Sequence, residues 1–225
     1  MPRQARIVIP GNPHHITQRG NYRQNVFDNE NNYKQYSEWI NEYALGNGVE
    51  ILAYCLMSNH VHFIAIPRKE HSLSRLFNNT HMRYSQYINR QRGVKGHLWQ
   101  GRFYSCILGE THLYRAIRYV ENNPVRAKIE AEAWKYRWSS AADHALERYT
   151  SLIGLKPLKI IEDWKGYLKA DDVEMTGDIR LKTERGLVVG SEKFINKLER
   201  SLKRSLKCLN QGRPKKVKQK RSLSP

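Results

Sequence analysis

The fold of this chain is decided by residues 58–66, which have the sequence SNHVHFIAI. This short apolar run contains several β-branched residues and ends at Pro67, a pattern that predicts a β-strand. Because side chains on a strand alternate between its two faces, His60 and His62 are expected on the same face. Two imidazoles at this spacing can bind one divalent metal ion. Two ordinary surface or packed histidines are the alternative interpretation, because a motif this short often occurs by chance.

The segments around this strand predict a sheet covered by helices. Residues 49–57 are an apolar strand, and residues 58–59 supply the turn of a hairpin between the two strands. Apolar residues recur at helical spacing after Asp28 or Asn29 and stop at Gly46, which predicts the first helix. The other predicted elements are extended segments at 7–9 and 14–18, a helix at 72–90, a strand at 103–108 and a helix from about 111 to 123.

The order of these elements predicts an α+β fold. Strand, helix, strand, strand, helix and strand follow one another as in the split βαβ, ferredoxin-like arrangement. This arrangement places the first strand beside the third in an antiparallel sheet, and it places both of its helices on one face. His14 or His15 could then lie next to His60 and His62.

The chain is expected to contain one folded domain and an appendage. Residues 1–146 hold the predicted domain, whose last segment is rich in aromatic residues. Residues 147–206 are a C-terminal extension, in which turns are frequent up to Gly190 before Ser191 caps a short amphipathic helix. Residues 207–225 contain seven basic residues and no acidic residue, a composition that is typical of a disordered tail.

The net charge of +18, from 39 basic and 21 acidic residues, is the strongest signal in the composition. So large an excess of positive charge indicates a polyanionic partner, most often nucleic acid. Solubility is the weaker explanation, because it requires neither this sign nor this amount of charge. The hydrophobic fraction of 40% and the mean hydropathy of −0.73 fit a folded part diluted by a polar part.

Membrane and secretory signals are missing from the sequence. No apolar run approaches the roughly 20 residues of a membrane span, and the apolar run at residues 7–9 is too short for a signal peptide. Three cysteines, Cys55, Cys106 and Cys208, lack metal-site spacing and fit reduced thiols. We therefore expect a cytoplasmic protein without a membrane anchor.

Helical geometry separates one tyrosine from the others. Tyr84 and Tyr87 fall on the apolar face of the second helix and are expected in the core. On the third helix, Tyr119 falls at the edge of the apolar stripe, and Asn123 lies over the same edge one turn further on. Tyr119 can therefore pack against the sheet while its hydroxyl stays at a hydrated site. A packing tyrosine followed by a helix-terminal asparagine is the alternative, and geometry alone favours it.

Five motifs in a fixed order resemble those of the REP-associated tyrosine transposases, which are single-tyrosine transposases of the HUH endonuclease superfamily. The motifs are RGN at 19–21, NHVH at 59–62, LWQGRF at 98–103, RYVENNPVRA at 118–127 and WSS at 138–140. The resemblance spans roughly residues 5–145. Each motif alone is moderately specific, whereas the ordered set is specific.

The resemblance implies a ferredoxin-like catalytic domain that cleaves and rejoins single-stranded DNA at hairpin-flanked sites. By matched position, His60 and His62 would be metal ligands, and Tyr119 would be the nucleophile that forms a 5′-phosphotyrosine. Asn123 would stand where some relatives carry a glutamine as third protein ligand, and its shorter side chain makes this assignment the least direct. Mg²⁺ or Mn²⁺ suits such a mixed shell of imidazole, amide and phosphate.

Basic residues in these motifs and in the tail are the candidate DNA contacts. Within the motifs they are Arg19, Arg102, Arg118 and Arg126. In the tail, residues 212–216 have the sequence GRPKK, which resembles the core of an AT-hook and makes Arg213, Lys215 and Lys216 candidates. An Arg-Pro step can lie in the narrow minor groove of A·T-rich DNA. A tail that binds phosphates without sequence preference is the equally supported alternative.

Other functions remain open. A DNA-binding protein derived from a transposase could have lost cleavage, although both histidines, Tyr119 and Asn123 are present. A zinc-dependent hydrolase could use the histidine pair, but Glu50 and Glu70 lie outside the strand. RNA binding is compatible with the charge, but the sequence has no RNP-like aromatic motif. The expected partners are single-stranded or hairpin DNA, with A·T-rich duplex at the tail, and the chain is expected to be a monomer or a homodimer.

Overall fold

The computed structural model describes residues 6–147, 153–156, 161–170 and 173–206. This part of the chain forms five strands and eight α-helices. The strands are β1 (His14–Arg19), β2 (Val49–Met57), β3 (His60–Pro67), β4 (Tyr104–Leu108) and β5 (Val188–Val189). The helices are α1 (Glu30–Gly46), α2 (Ser72–Arg92), α3 (Glu110–Glu121), α4 (Asn123–Arg126), α5 (Ala141–Leu146), α6 (Trp164–Lys169), α7 (Val173–Arg185) and α8 (Glu192–Leu202).

The strands form one sheet in the order β2-β3-β1-β4-β5. β1 pairs with β3 and β4, and β3 also pairs with β2, all antiparallel, whereas β5 runs parallel to β4. The first strand therefore lies beside the third, as the split βαβ pattern predicts. Residues 58–59 connect β2 to β3, so the predicted hairpin is confirmed. The α+β, ferredoxin-like fold is also confirmed, with β5 as an additional edge strand.

The two faces of the sheet carry different helices because strand side chains alternate. Val61, Phe63 and Ala65 of β3 pack with α1 and α2 in one core cluster. Ile64, on the opposite face, packs with α3 in a second cluster. Both helices of the split βαβ unit thus lie on one face, as predicted, and α3 covers the other. His62 shares the face of Ile64, so its side chain lies beside α3.

Local signals explain where the helices around the site begin and end. Asn29 caps α1 by accepting a hydrogen bond from the backbone N–H of Asn32. Gly93 ends α2 in the left-handed conformation, with φ of 63°. The third helix ends before Pro124, as predicted, because proline has no N–H to continue the ladder of hydrogen bonds. The chain turns there into the short helix α4, which carries residues at the site described below.

The C-terminal extension packs on the same sheet as the predicted domain. β5 pairs with β4, and α7 contacts both β4 and β1. Ser191 caps α8 through the N–H of Phe194, as predicted. The expectation of a turn-rich segment up to Gly190 is wrong in part, because α6 and α7 lie there. These helices carry few apolar residues. Two of them, Trp164 of α6 and Ile179 of α7, are buried in the second core cluster, and this packing stabilises the helices.

Some predictions fall on residues that the structure does not describe. Arg213, Lys215 and Lys216 of the tail lie outside the described residues, as does Cys208, and the division at residues 146 and 206 stays a prediction. Cys55 and Cys106 are buried free thiols. Within the described ranges, none of the helices combines the length and apolar character needed to cross a bilayer.

Candidate active site

The predicted histidine pair lies on β3, opposite β1. His60 pairs with Arg19 and His62 with Thr17, and the centroids of the two imidazole rings are 5.0 Å apart. Both rings line a cavity of about 280 Å³ that is also bounded by α3, α4 and α7. The predicted site residues that line this cavity are Arg19, His60, His62, Tyr119, Asn123 and Arg126. Residues distant in sequence therefore meet at one place in the fold.

Asn59 orients the imidazole of His60. Its Oδ1 lies 2.6 Å from His60 Nδ1, while its Nδ2 donates to the carbonyl oxygen of Arg23 at 3.2 Å. An amide oxygen only accepts hydrogen bonds, so His60 Nδ1 carries the ring proton. Nε2 of His60 therefore presents a lone pair, which is what a metal ligand requires.

His15 on β1 lies beside His62. The two imidazole rings are nearly coplanar, with planes 4° apart and centroids 5.1 Å apart, and His15 Nε2 lies 2.9 Å from His62 Nδ1. This contact engages Nδ1 of His62 and leaves Nε2 for a ligand. The expectation that His14 or His15 would reach the pair is therefore confirmed, and the residue is His15. The Nδ1 atom of His14 bonds the carbonyl oxygen of Asn12, and His14 is not among the residues that line the cavity.

Burial keeps these imidazoles neutral. It lowers the pKa of His15 to about 3 and the pKa of His60 to about 4. The pKa of His62 is lowered well below its ordinary value, first by burial and then by the neighbouring His60 and His15. The positive charges of Arg19 and Arg126 lower the pKa values of His60 and His62 further. The neutral imidazole is the form that binds a metal ion.

Tyr119 packs against the histidines from α3. Its ring meets His15 and His62 edge to face, with centroid separations of 5.5 Å and 5.8 Å. Only 8% of the residue is exposed, and the residue is one of those that line the cavity. Tyr119 belongs to the same core cluster as the fully buried Ala116 and Val120, and its position at the edge of the helix's apolar stripe stays a prediction.

Arg126 lies against the ring of Tyr119. Its guanidinium carbon is 4.2 Å from the ring centroid, and its Nη2 donates to the carbonyl oxygen of Tyr119 at 2.9 Å. Burial raises the pKa of the Tyr119 phenol, whereas the charges of Arg126, Arg180 and Arg19 lower that pKa and Glu184 raises it. The arginines therefore favour the phenolate, which is the nucleophilic form of a tyrosine.

Asn123 is held at the first position of α4. Its Nδ2 donates to the carbonyl oxygens of Tyr119, at 3.2 Å, and Val120, at 2.9 Å. These two bonds fix the orientation of the amide, and Asn123 is one of the residues that line the cavity. An amide oxygen is a suitable ligand for a hard divalent cation.

Two further predicted DNA contacts, Arg102 and Arg118, are not among the residues that line this cavity. Arg102 borders a separate cleft of about 310 Å³. Arg118 is largely buried, its guanidinium carbon lies 4.4 Å from the ring centroid of Tyr167, and its Nη1 donates to the Tyr167 carbonyl oxygen at 3.4 Å. It also lines a cleft of about 360 Å³ that adjoins the other side of Tyr119. Arg118 is therefore partly committed to packing α3 against α6.

The sequence analysis missed the contribution of α7 to the cavity. Arg180, Thr183 and Glu184, on one face of this helix, are also lining residues. Glu184 brings a carboxylate near the histidine pair, which the zinc hydrolase interpretation lacked, and it forms an ion pair of 3.4 Å with Arg180. The i, i+3, i+4 spacing of these polar residues was the available signal. Among the described residues, no group of three or more His, Cys, Asp or Glu side chains is arranged to hold a metal ion.

A sequence profile of the IS200-like transposases matches residues 12–123, about half of the chain. The matched segment contains His60, His62, Tyr119 and Asn123, which are the residues that meet at the cavity. The chain belongs to the IS200-like transposase family. By class, an IS200-like transposase is an enzyme that cuts and transfers DNA strands.

Two solved transposase structures are similar to this IS200-like transposase to different degrees. A REP-associated tyrosine transposase bound to a REP hairpin superimposes with a TM-score of 0.53 and 21% identity, covering 77% of this chain and 96% of that chain. A putative transposase from Deinococcus radiodurans R1 gives a TM-score of 0.38 at 20% identity, covering 53% of this chain and 96% of that chain. The search of curated proteins gave no match.

Proposed function

We propose that this transposase cleaves and rejoins single-stranded DNA through attack of the Tyr119 hydroxyl on a phosphodiester. The observation that carries the proposal is the meeting of Tyr119 with His60 and His62 at one cavity. The Nδ1 atoms of both histidines are engaged, so their Nε2 atoms are open to a ligand. A nucleophile beside a cation site is the arrangement that phosphodiester cleavage requires.

A divalent metal ion fits the donors of the cavity. His60 and His62 would hold the ion through Nε2, and Asn123 would add its amide oxygen. When bound, such an ion supplies neutralisation of the charge that develops on the phosphate oxygens. Imidazole, amide and phosphate ligands together suit Mg²⁺ or Mn²⁺.

The proposed reaction conserves the energy of the phosphodiester bond. The Tyr119 oxygen forms a bond to phosphorus while the bond from phosphorus to the 3′ oxygen breaks, which yields a 5′-phosphotyrosine and a free 3′-hydroxyl. The phenolic proton leaves to solvent, the departing 3′ oxygen takes up a proton from solvent, and the positive charge of Arg126 favours loss of the phenolic proton. A later attack by a 3′-hydroxyl on the phosphotyrosine rejoins a strand and releases Tyr119, so no nucleotide cofactor is consumed.

Hairpin DNA is the proposed substrate. The structurally similar transposase was solved with a REP hairpin bound, and a net charge of +18 suits a polyanionic partner. Arg19 lines the cavity itself. Arg102 borders its separate cleft together with Arg6, Arg185 and Arg204. Arginine side chains thus line both the cavity and the second cleft, and we propose that the DNA backbone binds along them.

The proposal is tested by incubating the full chain with Mn²⁺ and hairpin oligonucleotides that carry a single-stranded extension. A denaturing gel should show a covalent protein–DNA adduct and a shortened product with a 3′-hydroxyl. A fully paired duplex of the same sequence should give neither species. Hairpin binding without any adduct would instead support the alternative of a DNA-binding protein that no longer cleaves.

The wider organisation of the chain is proposed on the same basis. Residues 1–146 would form the catalytic domain, residues 147–206 the extension that completes its sheet, and residues 207–225 a basic tail. The protein would act in the bacterial cytoplasm, at the nucleoid, as a monomer or a homodimer.

Replacing Arg126 with glutamine is expected to shift the pH dependence of adduct formation to higher pH. Loss of this charge raises the pKa of Tyr119 further above its ordinary value, so less phenolate is present at any given pH. On the rising limb of the profile, the rate should fall about tenfold for each unit of pKa increase. The measurement is the single-turnover rate of adduct formation from neutral to alkaline pH.

Arg126→Lys is the matched control for this shift. It keeps the positive charge near Tyr119 but loses the planar group that lies over the ring. Its profile should lie close to that of the wild type. Identical profiles for Arg126→Gln and the wild type would show that this charge does not activate the phenol.

Removing residues 207–225 is expected to weaken DNA binding without abolishing cleavage at saturating DNA. The tail holds seven basic residues, and each lost phosphate contact should remove about 0.7 to 0.9 from the slope of log affinity against log salt concentration. The residues that line the cavity lie between His15 and Glu184, so the chemistry should persist. Salt titrations of both proteins measure this effect, and an unchanged slope would mean that the tail does not touch DNA.

The sequence preference of the tail is decided by Arg213→Ala. If residues 212–216 bind as an AT-hook, the substitution should reduce affinity mainly for A·T-rich duplex. If the tail binds phosphates without preference, the loss should be equal for A·T-rich and G·C-rich duplexes. Competition between the two duplexes, with and without the substitution, separates these outcomes.

A further inference from the structure

We infer that Thr183 on α7 and His15 on β1 are positioning residues that fix the ring proton of His62 on Nδ1, and thereby keep its Nε2 open as a metal ligand. The inference rests on the proposed function of His62 and deepens it. Thr183 lies in the C-terminal extension, outside the segment that matches the transposase family. The extension would therefore contribute to the metal site through a hydrogen-bond partner that does not itself bind the metal.

The direction of the first hydrogen bond follows from the hydroxyl of Thr183. Thr183 Oγ1 lies 2.7 Å from the carbonyl oxygen of Ile179, which can only accept. The single hydroxyl hydrogen is therefore donated to Ile179. Thr183 Oγ1 also lies 2.7 Å from His15 Nδ1, and in this contact the oxygen must accept. The thiol of Cys106, 3.1 Å away, then has to donate to the same oxygen as well.

The direction of the second hydrogen bond follows from the first. Because His15 Nδ1 donates to Thr183, the neutral ring of His15 has no proton left for Nε2. His15 Nε2 must then accept from His62 Nδ1, at 2.9 Å. The proton of His62 is thereby placed on Nδ1, and Nε2 keeps its lone pair. Each bond determines the next, from the backbone of α7 to the proposed ligand on β3.

Burial makes this chain of hydrogen bonds difficult to replace. Only 1% of His15, 1% of Thr183 and 6% of His62 is exposed. Without an acceptor at position 183, Nδ1–H of His15 would be buried and unpaired, which is unfavourable. The opposite arrangement avoids this cost: His15 would carry its proton on Nε2 and donate to His62 Nδ1. The proton of His62 would then occupy Nε2, where the metal has to bind.

The position of α7 suits this role. The helix contacts both β1 and β4, and β5, which follows it, pairs with β4. The contacts of α7 with β1 and β4, and the pairing of β5 with β4 directly after the helix, together keep Thr183 against the sheet. Outer partners of metal-bound histidines fix the ring tautomer in this way in many metal sites, and their loss typically weakens metal affinity about 10- to 100-fold.

The test compares Thr183→Val with Thr183→Ser in the full chain, using Mn²⁺ alone as the probe. Valine keeps the shape of threonine but cannot accept a hydrogen bond, whereas serine keeps the hydroxyl. Free Mn²⁺ measured by electron paramagnetic resonance should show an affinity about 10- to 100-fold weaker for Thr183→Val and close to wild type for Thr183→Ser. Thermal melting of both variants reports whether the fold is intact.

A second measurement observes the position of the ring proton directly. Nitrogen-15 NMR of the metal-free wild type should show the His62 proton on Nδ1, and the same experiment on Thr183→Val should show it moved to Nε2. A wild-type His62 protonated on Nε2 would overturn the inference, as would equal Mn²⁺ affinity in folded Thr183→Val and wild type. If the affinities differ as expected but no DNA adduct ever forms, the positioning role stands and the proposed reaction fails.

Discussion

Replacing Tyr119 with phenylalanine is expected to abolish the covalent protein–DNA adduct while DNA affinity stays nearly unchanged. The substitution removes one oxygen and keeps the ring that packs against His15, His62 and Arg126. Because that oxygen is the proposed nucleophile, the rate of adduct formation should fall by more than about 10³-fold. Denaturing gels measure the adduct, and fluorescence anisotropy with labelled hairpin DNA measures the affinity.

Two other tyrosines serve as controls. Tyr84 is fully buried and donates its hydroxyl proton to the carbonyl oxygen of Val26 at 2.7 Å. Tyr84→Phe should therefore cost about 1 kcal/mol of stability and leave the adduct intact. Tyr87→Phe should change neither the stability of the protein nor the amount of adduct. If mass spectrometry maps the DNA-linked peptide to Tyr84 or Tyr87, the assignment of Tyr119 as nucleophile is wrong.

Replacing either His60 or His62 with alanine is expected to remove metal binding and cleavage together. Each substitution removes one of the two imidazoles proposed as metal ligands, and an amide oxygen with one imidazole is a poor site for a divalent ion. Chelation of the metal by EDTA should have the same effect on the wild type. Mn²⁺ affinity and adduct formation are the two measurements, and full cleavage in EDTA would rule out the metal mechanism.

The two histidine variants should differ in stability. His62 is 6% exposed and bonds His15, so its removal leaves a buried nitrogen unpaired at a cost of about 1–3 kcal/mol. His60 is less buried and bonds the neighbouring Asn59, so its removal should cost less. His112→Ala, outside the cavity lining, is the control that should retain cleavage.

Asn123→Ala should weaken metal binding less than either histidine variant, because an amide is the weaker ligand.

Local periodicity was enough to predict most of the fold and the main candidates of the site. The alternation of residues 60–66 predicted His60 and His62 on one face. Helical spacing predicted Tyr119 and Asn123 at one edge of the third helix, whereas in the structure Asn123 begins the separate helix α4. The order of elements then gave the split βαβ arrangement. These features depend on residues within a few positions of one another, which is why a sequence can specify them directly.

The choice between His14 and His15 needed the register of β1. Consecutive residues on a strand point to opposite faces, so one of the two had to reach the site, and a shift by one residue would exchange them. The register that pairs Thr17 with His62 puts His15 on the cavity side. The sequence predicts the strand, but its alignment with β3 is set by packing across the whole sheet.

The sequence by itself was sufficient to predict the strand, the placement of His60 and His62 on one face of it, Tyr119 as the candidate nucleophile, and the family to which the chain belongs. Only the tertiary structure decided that α7 completes the cavity, because Thr183 meets His15 across 168 positions of sequence. No local pattern encodes such a contact: it depends on where the extension docks on the sheet. Burial strengthens the consequence of this contact. A hydrogen bond that is shielded from water determines which nitrogen of a histidine carries the proton, because no water molecule can replace the lost partner.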